Sequence, residues 1–275
     1  NCSNLTSITL PNSVTSIGSF AFIYCTSLTS ITLPNGITSI EDSAFSGCYI
    51  LTSVTLSNSL TSIGANAFSA CSGLTSITLP NSLISIGSAA FADCSSITSI
   101  TIPSGVTIIR NNTFENCSNL TSITFPSSLT TIGTAAFYSC TSLTSITLPS
   151  SLTSIGSNTF AFCINLTSIT LPSNLTSIGT TAFFSCSSLT SITLPNTLTS
   201  IGNYAFQDCT GLSSFTINAV TPPSILATVF TNVSVGSVNL YVPTASKTAY
   251  KSASVWSGFK FPPYITAPGS STAIT

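Results

Sequence analysis

The sequence predicts an all-β-rich solenoid of stacked 23-residue coils, and three observations point to it. Cysteines stand at 2, 25, 48, 71, 94, 117, 140, 163, 186 and 209, always 23 apart, with nothing inserted or deleted. A fixed period of this kind marks a repeat architecture. Seven further apolar columns recur in each unit, which reads C-x-x-L-T-S-I-T-L-P-x-S-L-T-S-I-G-x-x-A-F-x-x; in the first unit they are Leu5, Ile8, Leu10, Val14, Ile17, Ala21 and Phe22. Inside the unit the apolar residues alternate over short stretches, a period of two that suits strands and is too brief for a helix.

Each element follows from its own residues. "LTSITL" is a strand with Ile and Leu inward and Thr outward, closed at once by Pro. "LTSIG" is a second, shorter strand ending on Gly, expected to turn with positive φ. The Phe column, opening with Phe22, Phe45 and Phe68, and the Cys column, with Cys25, Cys48 and Cys71, lie in the core. One coil cannot bury enough apolar surface to offset the cost of ordering itself, so the coils must stack and pair their strands in two parallel ladders. At ~4.8 Å per strand, nine to ten coils make a rod about 45 Å long. The solenoid is read as residues 1–217, nine full coils and part of a tenth, followed by a small α/β cap over 218–261 and a Pro/Ser/Thr-containing tail over 262–275. In the cap, Val238 to Val242 is a strand ended by Pro243. Thr244 N-caps a short helix running through Trp256, with Tyr250, Ala253 and Trp256 facing the last coil. The chain starts at Asn1 in mid-repeat, without Met or a capping segment, and is read as processed or cut.

The pattern "LTSITLPNSLTSIGxxAFxxC" resembles the BspA-like subfamily of leucine-rich repeat surface proteins, over residues 1 to about 217. "TPPSILATVF", "NLYVP" and the spacing of Ser246 to Phe259 are similar to that family's C-terminal cap. The resemblance implies a leucine-rich repeat solenoid at the cell surface or outside the cell, binding host or neighbouring-cell macromolecules. Charge is sparser here than is usual in that family. Glu41 and Arg110 replace the turn Gly, and Ile84, Ile108 and Thr131 interrupt the Thr-Ser pair, all outside the inward columns.

Composition narrows the chemistry. The 275 residues carry five acids (Glu41, Asp42, Asp93, Glu115, Asp208) and four bases (Arg110, Lys247, Lys251, Lys260), so solubility rests on hydroxyls. No apolar run approaches the ~20 residues that span a bilayer. There is no basic stripe for nucleic acid. Without His a Ser-His-Asp triad is impossible, Glu41 and Asp42 do not form a paired-carboxylate cleft, and no Gly-rich phosphate loop occurs. The expectation is no enzyme, no metal and no cofactor. One Cys per coil does not make a zinc site. Stacked Cβ atoms ~4.8 Å apart exceed the ~3.8 Å of a relaxed disulfide, so the cysteines are read as a buried thiol ladder.

Three surfaces are candidates for function. The outward strand residues form uniform columns, including Ser7, Thr9, Ser30, Thr32, Ser76, Thr78, Ser122, Thr124, Ser145, Thr147, Ser168 and Thr170. They are either a plain soluble β-favouring face or one for a periodic ligand such as a glycan or ice, or for sugar attachment. Variable turn positions carry Phe20, Tyr24, Tyr49, Tyr138, Phe162, Phe184 and Tyr204, which either pack on the flank of the stack or anchor a partner. N-x-S/T sequons stand at Asn1, Asn4, Asn111, Asn116, Asn119, Asn165, Asn174 and Asn232.

The functional expectation is a non-enzymatic extracellular or cell-surface structural and interaction protein, glycosylated and self-assembling end to end. In that reading the tail from Ile265 through Ile274 adds as a strand to a neighbour. The alternative is an adhesin module binding surface proteins or glycans, and ice binding is the remote third.

Overall fold

The computed structural model describes residues 2–262, in which the chain winds through about ten stacked turns of 23 residues with parallel sheets and little helix. The alternation in "SIT" produces strands such as Ser30–Thr32, Ser99–Thr101, Ser145–Thr147 and Ser168–Thr170, each with its central Ile buried and its flanking hydroxyls exposed. "SI" produces two-residue strands such as Ser16–Ile17 and Ser177–Ile178 on a second face. Pairing is always between equivalents one coil apart: Ser145 with Ser168, Ile146 with Ile169, Thr147 with Thr170.

The two parallel ladders expected from the sequence are present, each divided into short segments. The Ser-Ile-Thr strands pair in twos, and only at the C-terminal end do Ser191–Leu194, Ser214–Ile217 and Asn239–Tyr241 form a run of three. The short strands pair in runs of four, two and three. Strands this short contribute only one or two ladder bonds per coil, so a small shift in stacking breaks the pairing while the side-chain columns continue.

A third ladder, built from turns, completes the coil. In Gly18–Cys25 the amides of Ala21, Ile23 and Cys25 bond back to Gly18, Phe20 and Phe22, while those of Phe20, Phe22 and Tyr24 bond forward to the carbonyls of Asp42, Ala44 and Ser46 in the next coil. Every backbone donor from Phe20 to Cys25 is thereby satisfied. The geometry places two residues per coil in the left-handed region, for example Phe20 and Tyr24, Asn66 and Ala70, Asn112 and Asn116, Asn158 and Phe162.

This corrects the role expected for the turn glycine. Gly64, Gly87 and Gly202 are not left-handed; among the described residues only Gly47 is a glycine with positive φ. What the column provides is close approach, since a Cβ on Gly87 would lie 2.3 Å from the Ala65 amide nitrogen and one on Gly202 2.4 Å from that of Thr180.

Through the middle runs a column of rings. Phe22, Phe45, Phe68, Phe91, Phe114, Phe137, Phe160, Phe183 and Phe206 stack with centroids 5.1–5.7 Å apart and planes within 13°. Phe230 continues the stack at 5.6 Å from Phe206. The turn geometry goes with it: Phe206 and Asp208 bond to the carbonyls of Val229 and Thr231, and Asn232 is left-handed.

The cap differs in detail from the sequence expectation. Its strand is Asn239–Tyr241, and the single helix expected after Thr244 is three short pieces: a 3-10 turn Thr244–Ser246, an α-helix Lys247–Ser252 and a 3-10 turn Trp256–Gly258. Thr244 makes no side-chain cap, and Val255 at φ 67° separates the last two pieces. Packing decides this, because the break lets Trp256 turn onto the end of the core. There it meets Phe215, Phe230 and Tyr250, its Nε1 donates to the Pro223 carbonyl at 2.8 Å, and Tyr250 Oη donates to Ala219 at 3.0 Å. The tail residues Ile265 and Ile274 lie outside the described residues.

Phe114 is fully buried between two rings, whereas Phe22 has a ring on one side only. Phe114→Ala is expected to cost ~3–5 kcal/mol and Phe22→Ala clearly less. Urea unfolding of the two variants checks this, and equal losses would contradict a spine whose interior carries more than its end.

Candidate functional site

Two kinds of hydroxyl cover the coils. In several coils the Thr that opens the long strand turns its side chain back on the stack: Thr52 Oγ1 donates to the Thr29 carbonyl at 3.0 Å, Thr121 to Thr98 at 3.0 Å and Thr167 to Thr144 at 3.0 Å. The Thr opening the short strand does the same, as in Thr61 to Thr38 and Thr176 to Thr153, both 3.0 Å. Ser7, Thr9, Ser30, Thr32, Ser76, Thr78, Ser122, Thr124, Ser145, Thr147, Ser168 and Thr170 are all exposed. Among the described residues their hydroxyls have no hydrogen-bond partner. The Ser and Thr of this face are therefore free to bond outward, while the adjacent Thr columns are structural. Sequence alone could not separate them, because both are the same residue type at the same period.

The sequons are scattered over the surface. Asn4, Asn111, Asn119, Asn165, Asn174 and Asn232 are exposed and Asn116 is half-buried. Several amides are already engaged: Asn116 Nδ2 donates to Asp93 Oδ1 at 2.8 Å, Asn232 to Asp208 at 2.7 Å and Asn165 to the Thr141 carbonyl at 2.8 Å. Thr113, the hydroxyl residue of the Asn111 sequon, is buried and donates to the Arg110 carbonyl.

The seven aromatics do not gather into one site. Tyr138, Phe162 and Phe184 form an edge-to-face chain with centroids 5.2 and 5.1 Å apart. Phe20, Tyr24, Tyr49 and Tyr204 stand apart from that chain and are substantially exposed. The Tyr24 ring lies where a Cβ of Gly47 would be, 2.3 Å from it, so Gly is the only residue that fits beneath the ring at that coil.

Cys25 and the cysteines after it are buried and unbridged, while Cys2 is exposed. Each thiol from Cys48 to Cys209 donates to a Phe carbonyl of the preceding turn, for example Cys48 Sγ to Phe22 and Cys117 Sγ to Phe91, both at 3.2 Å. Burial is the main cause that pushes Cys48, Cys117, Cys163 and Cys209 up to about 12, and Cys94, Cys140 and Cys186 well above the ordinary value. No group of three His, Cys, Asp or Glu side chains that could hold a metal is found among the described residues. Glu41 and Asp42 are both exposed on a turn, where Asp42 Oδ1 accepts the Ala65 amide at 2.6 Å.

The profile of the BspA type leucine rich repeat region matches residues 1–121 and 107–235, in six copies. The chain belongs to the BspA-type leucine-rich repeat family. A search of curated proteins found no significant match. Among solved structures, a leucine-rich repeat protein from Eubacterium ventriosum is 25% identical, with 84% of this chain and 73% of that one covered and a TM-score of 0.52. A leucine-rich repeat protein from Bacteroides ovatus is 27% identical, covering 95% of this chain and 84% of that one, with a TM-score of 0.48. This BspA-type solenoid contains no helix, among its described residues, long and apolar enough to cross a membrane.

Two outcomes follow for the BspA-type coil. Thr167→Val is expected to lower stability by ~0.5–1 kcal/mol through the lost hydrogen bond, while Thr170→Val leaves it within ~0.5 kcal/mol; urea titration of both variants separates a structural from a free hydroxyl. The thiols set the alkaline limit. The folded chain holds their protons while the unfolded chain releases them above about 9, so stability is full below that pH and falls as pH rises from there towards 12. Circular dichroism across that range, compared with a chain in which several buried cysteines are alanine, checks the slope; an identical slope in the two would contradict it.

Proposed function

We propose that this chain is a non-enzymatic cell-surface or extracellular structural and interaction protein, and that the face bearing Ser122, Thr124, Ser145 and Thr147 is its contact surface. The observation that carries the reading is the division of hydroxyls: neighbouring Thr columns are bonded into the stack, while this face is exposed and partner-free. A rigid lattice of free donors and acceptors repeating every coil suits a partner that also repeats, such as a glycan chain or a second solenoid. Family membership supports the surface location, and the absence of His from the chain supports a role without general acid–base chemistry.

Glycosylation at exposed sequons such as Asn4, Asn119 and Asn165, and end-to-end assembly through the tail containing Ile265 and Ile274, belong to the same reading. A second reading, an adhesin module working through turn aromatics, is favoured by the edge-to-face chain of Tyr138, Phe162 and Phe184 on one flank. Ice binding through the hydroxyl lattice is the remote alternative.

The combined variant Ser122→Ala, Thr124→Val, Ser145→Ala, Thr147→Val removes four free hydroxyls and keeps β-branching at the Thr positions. It is expected to melt like the parent and to lose at least ten-fold in binding to immobilised glycans and matrix proteins, or in self-association by sedimentation velocity. Unchanged behaviour in every one of these assays would overturn the hydroxyl face as the contact surface.

A further inference from the structure

A shallow trough runs along one flank of the stack, away from the free hydroxyl face. One side is the column just after each Cys, Tyr49, Ser72, Ser95 and Ser118; the other is the second left-handed column, Ala70, Asp93, Asn116 and Ser139. The cavity is about 400 Å³. From Tyr49 to Ser139 it crosses four coil steps, about 19 Å at ~4.8 Å each. Both ends are marked by bulk. Tyr49 closes the lower end with 46% of its surface exposed, and one coil beyond Ser139 and Thr141 the same columns carry Phe162 and the exposed Ile164. Between these bulky ends the two columns carry only small residues, all polar except Ala70.

We propose that this trough binds a short neutral oligosaccharide, its end ring stacked on Tyr49 and its hydroxyls bonded to Asp93 and Asn116. The chemistry fits such a ligand. Asp93 Oδ1 accepts Asn116 Nδ2 at 2.8 Å, which holds both side chains along the trough. Asp93 Oδ2 and Asn116 Oδ1 keep acceptor capacity for donors from outside. Ser95, Ser118 and Ser139 carry hydroxyls with no partner among the described residues. A polyol presents donors and acceptors on its rim and C–H groups on its faces, which matches a lining of scattered hydroxyl, amide and carboxylate groups among apolar surface beside an exposed ring.

The backbone argues against a peptide here. On the side of the left-handed column the amides of Ala70, Asp93 and Asn116 are bonded forward to Ala92, Glu115 and Tyr138, so that wall offers an extended peptide no free donors with which to add as a strand. The trough is open along its length, without a deep pocket to seat an anchoring side chain. No Lys or Arg lines the trough, so an anionic ligand has no counter-charge.

This inference rests on the interaction reading above but uses a different surface, so the two fail separately. The test is an array of neutral tri- to hexasaccharides probed with the full chain made in a host without N-glycosylation, with affinities measured by titration calorimetry. Tyr49→Ser, the residue that the next three coils carry there, and Asp93→Ala, tolerated at the equivalent Ala70, are each expected to weaken binding at least ten-fold with an unchanged melting temperature. Binding to no member of the array, or binding that survives both trough variants, overturns the proposal. So does a Tyr49-dependent interaction with deglycosylated matrix protein. Sugar binding lost only in the hydroxyl-face variant removes the trough and leaves the interaction reading standing.

Discussion

Everything in this protein depends on register, because each residue lies above its equivalent 23 positions earlier. The Phe column shows how strictly: neighbouring rings from Phe22 to Phe206 keep near-parallel planes with centroids 5.1–5.7 Å apart. The cysteines use the same register for a second purpose. A thiol is small enough for the crowded corner beside the Phe turn, and its S–H reaches a Phe carbonyl that the turn's own amide only half satisfies. Val would fill the space without a donor, and Ser would bring a more strongly hydrated group into a dry interior.

The same constraint shapes the exterior. The inward columns tolerate few changes of size, such as Phe125 in a Leu column and Val54 and Phe215 in an Ile column, so variation is greatest at the turn residues and on the flank. Thr accordingly plays two parts that look identical in the repeat: in one column it ties successive coils together through a carbonyl, and two or three residues further on it stands free. The contact surface is whatever the stack does not consume.

Strain is distributed in the same way. Two residues per coil are left-handed, and although Asn, Asp and Ser take many of these places, Phe20, Tyr24, Phe162 and Tyr204 do as well. Bulky side chains pay a steric penalty there. The forward hydrogen bonds of the turn ladder hold them in place, and their side chains project onto the flank, where bulk meets no neighbour in the core. At the C-terminal end Phe230 adds one more parallel ring, and Trp256 and Tyr250 then close the column with rings at steep angles, which ends the parallel stack and covers the last coil.

The sequence by itself determined the coil length, the inward columns, the buried thiols and the outward hydroxyl face, because period and polarity alone dictate which atoms leave water. It could not show that the conserved-looking Gly supplies close approach while Asn66, Ala70 and their equivalents carry the left-handed turns, since φ depends on which coil the backbone must bond to. Nor could it show which hydroxyls are spent on carbonyls, that the long ladder is cut into short runs, or that the cap helix breaks at Val255. Those features follow from distances between coils, and the pairing of Asp93 with Asn116 across a full repeat is a neighbourhood that exists only once the stack has formed.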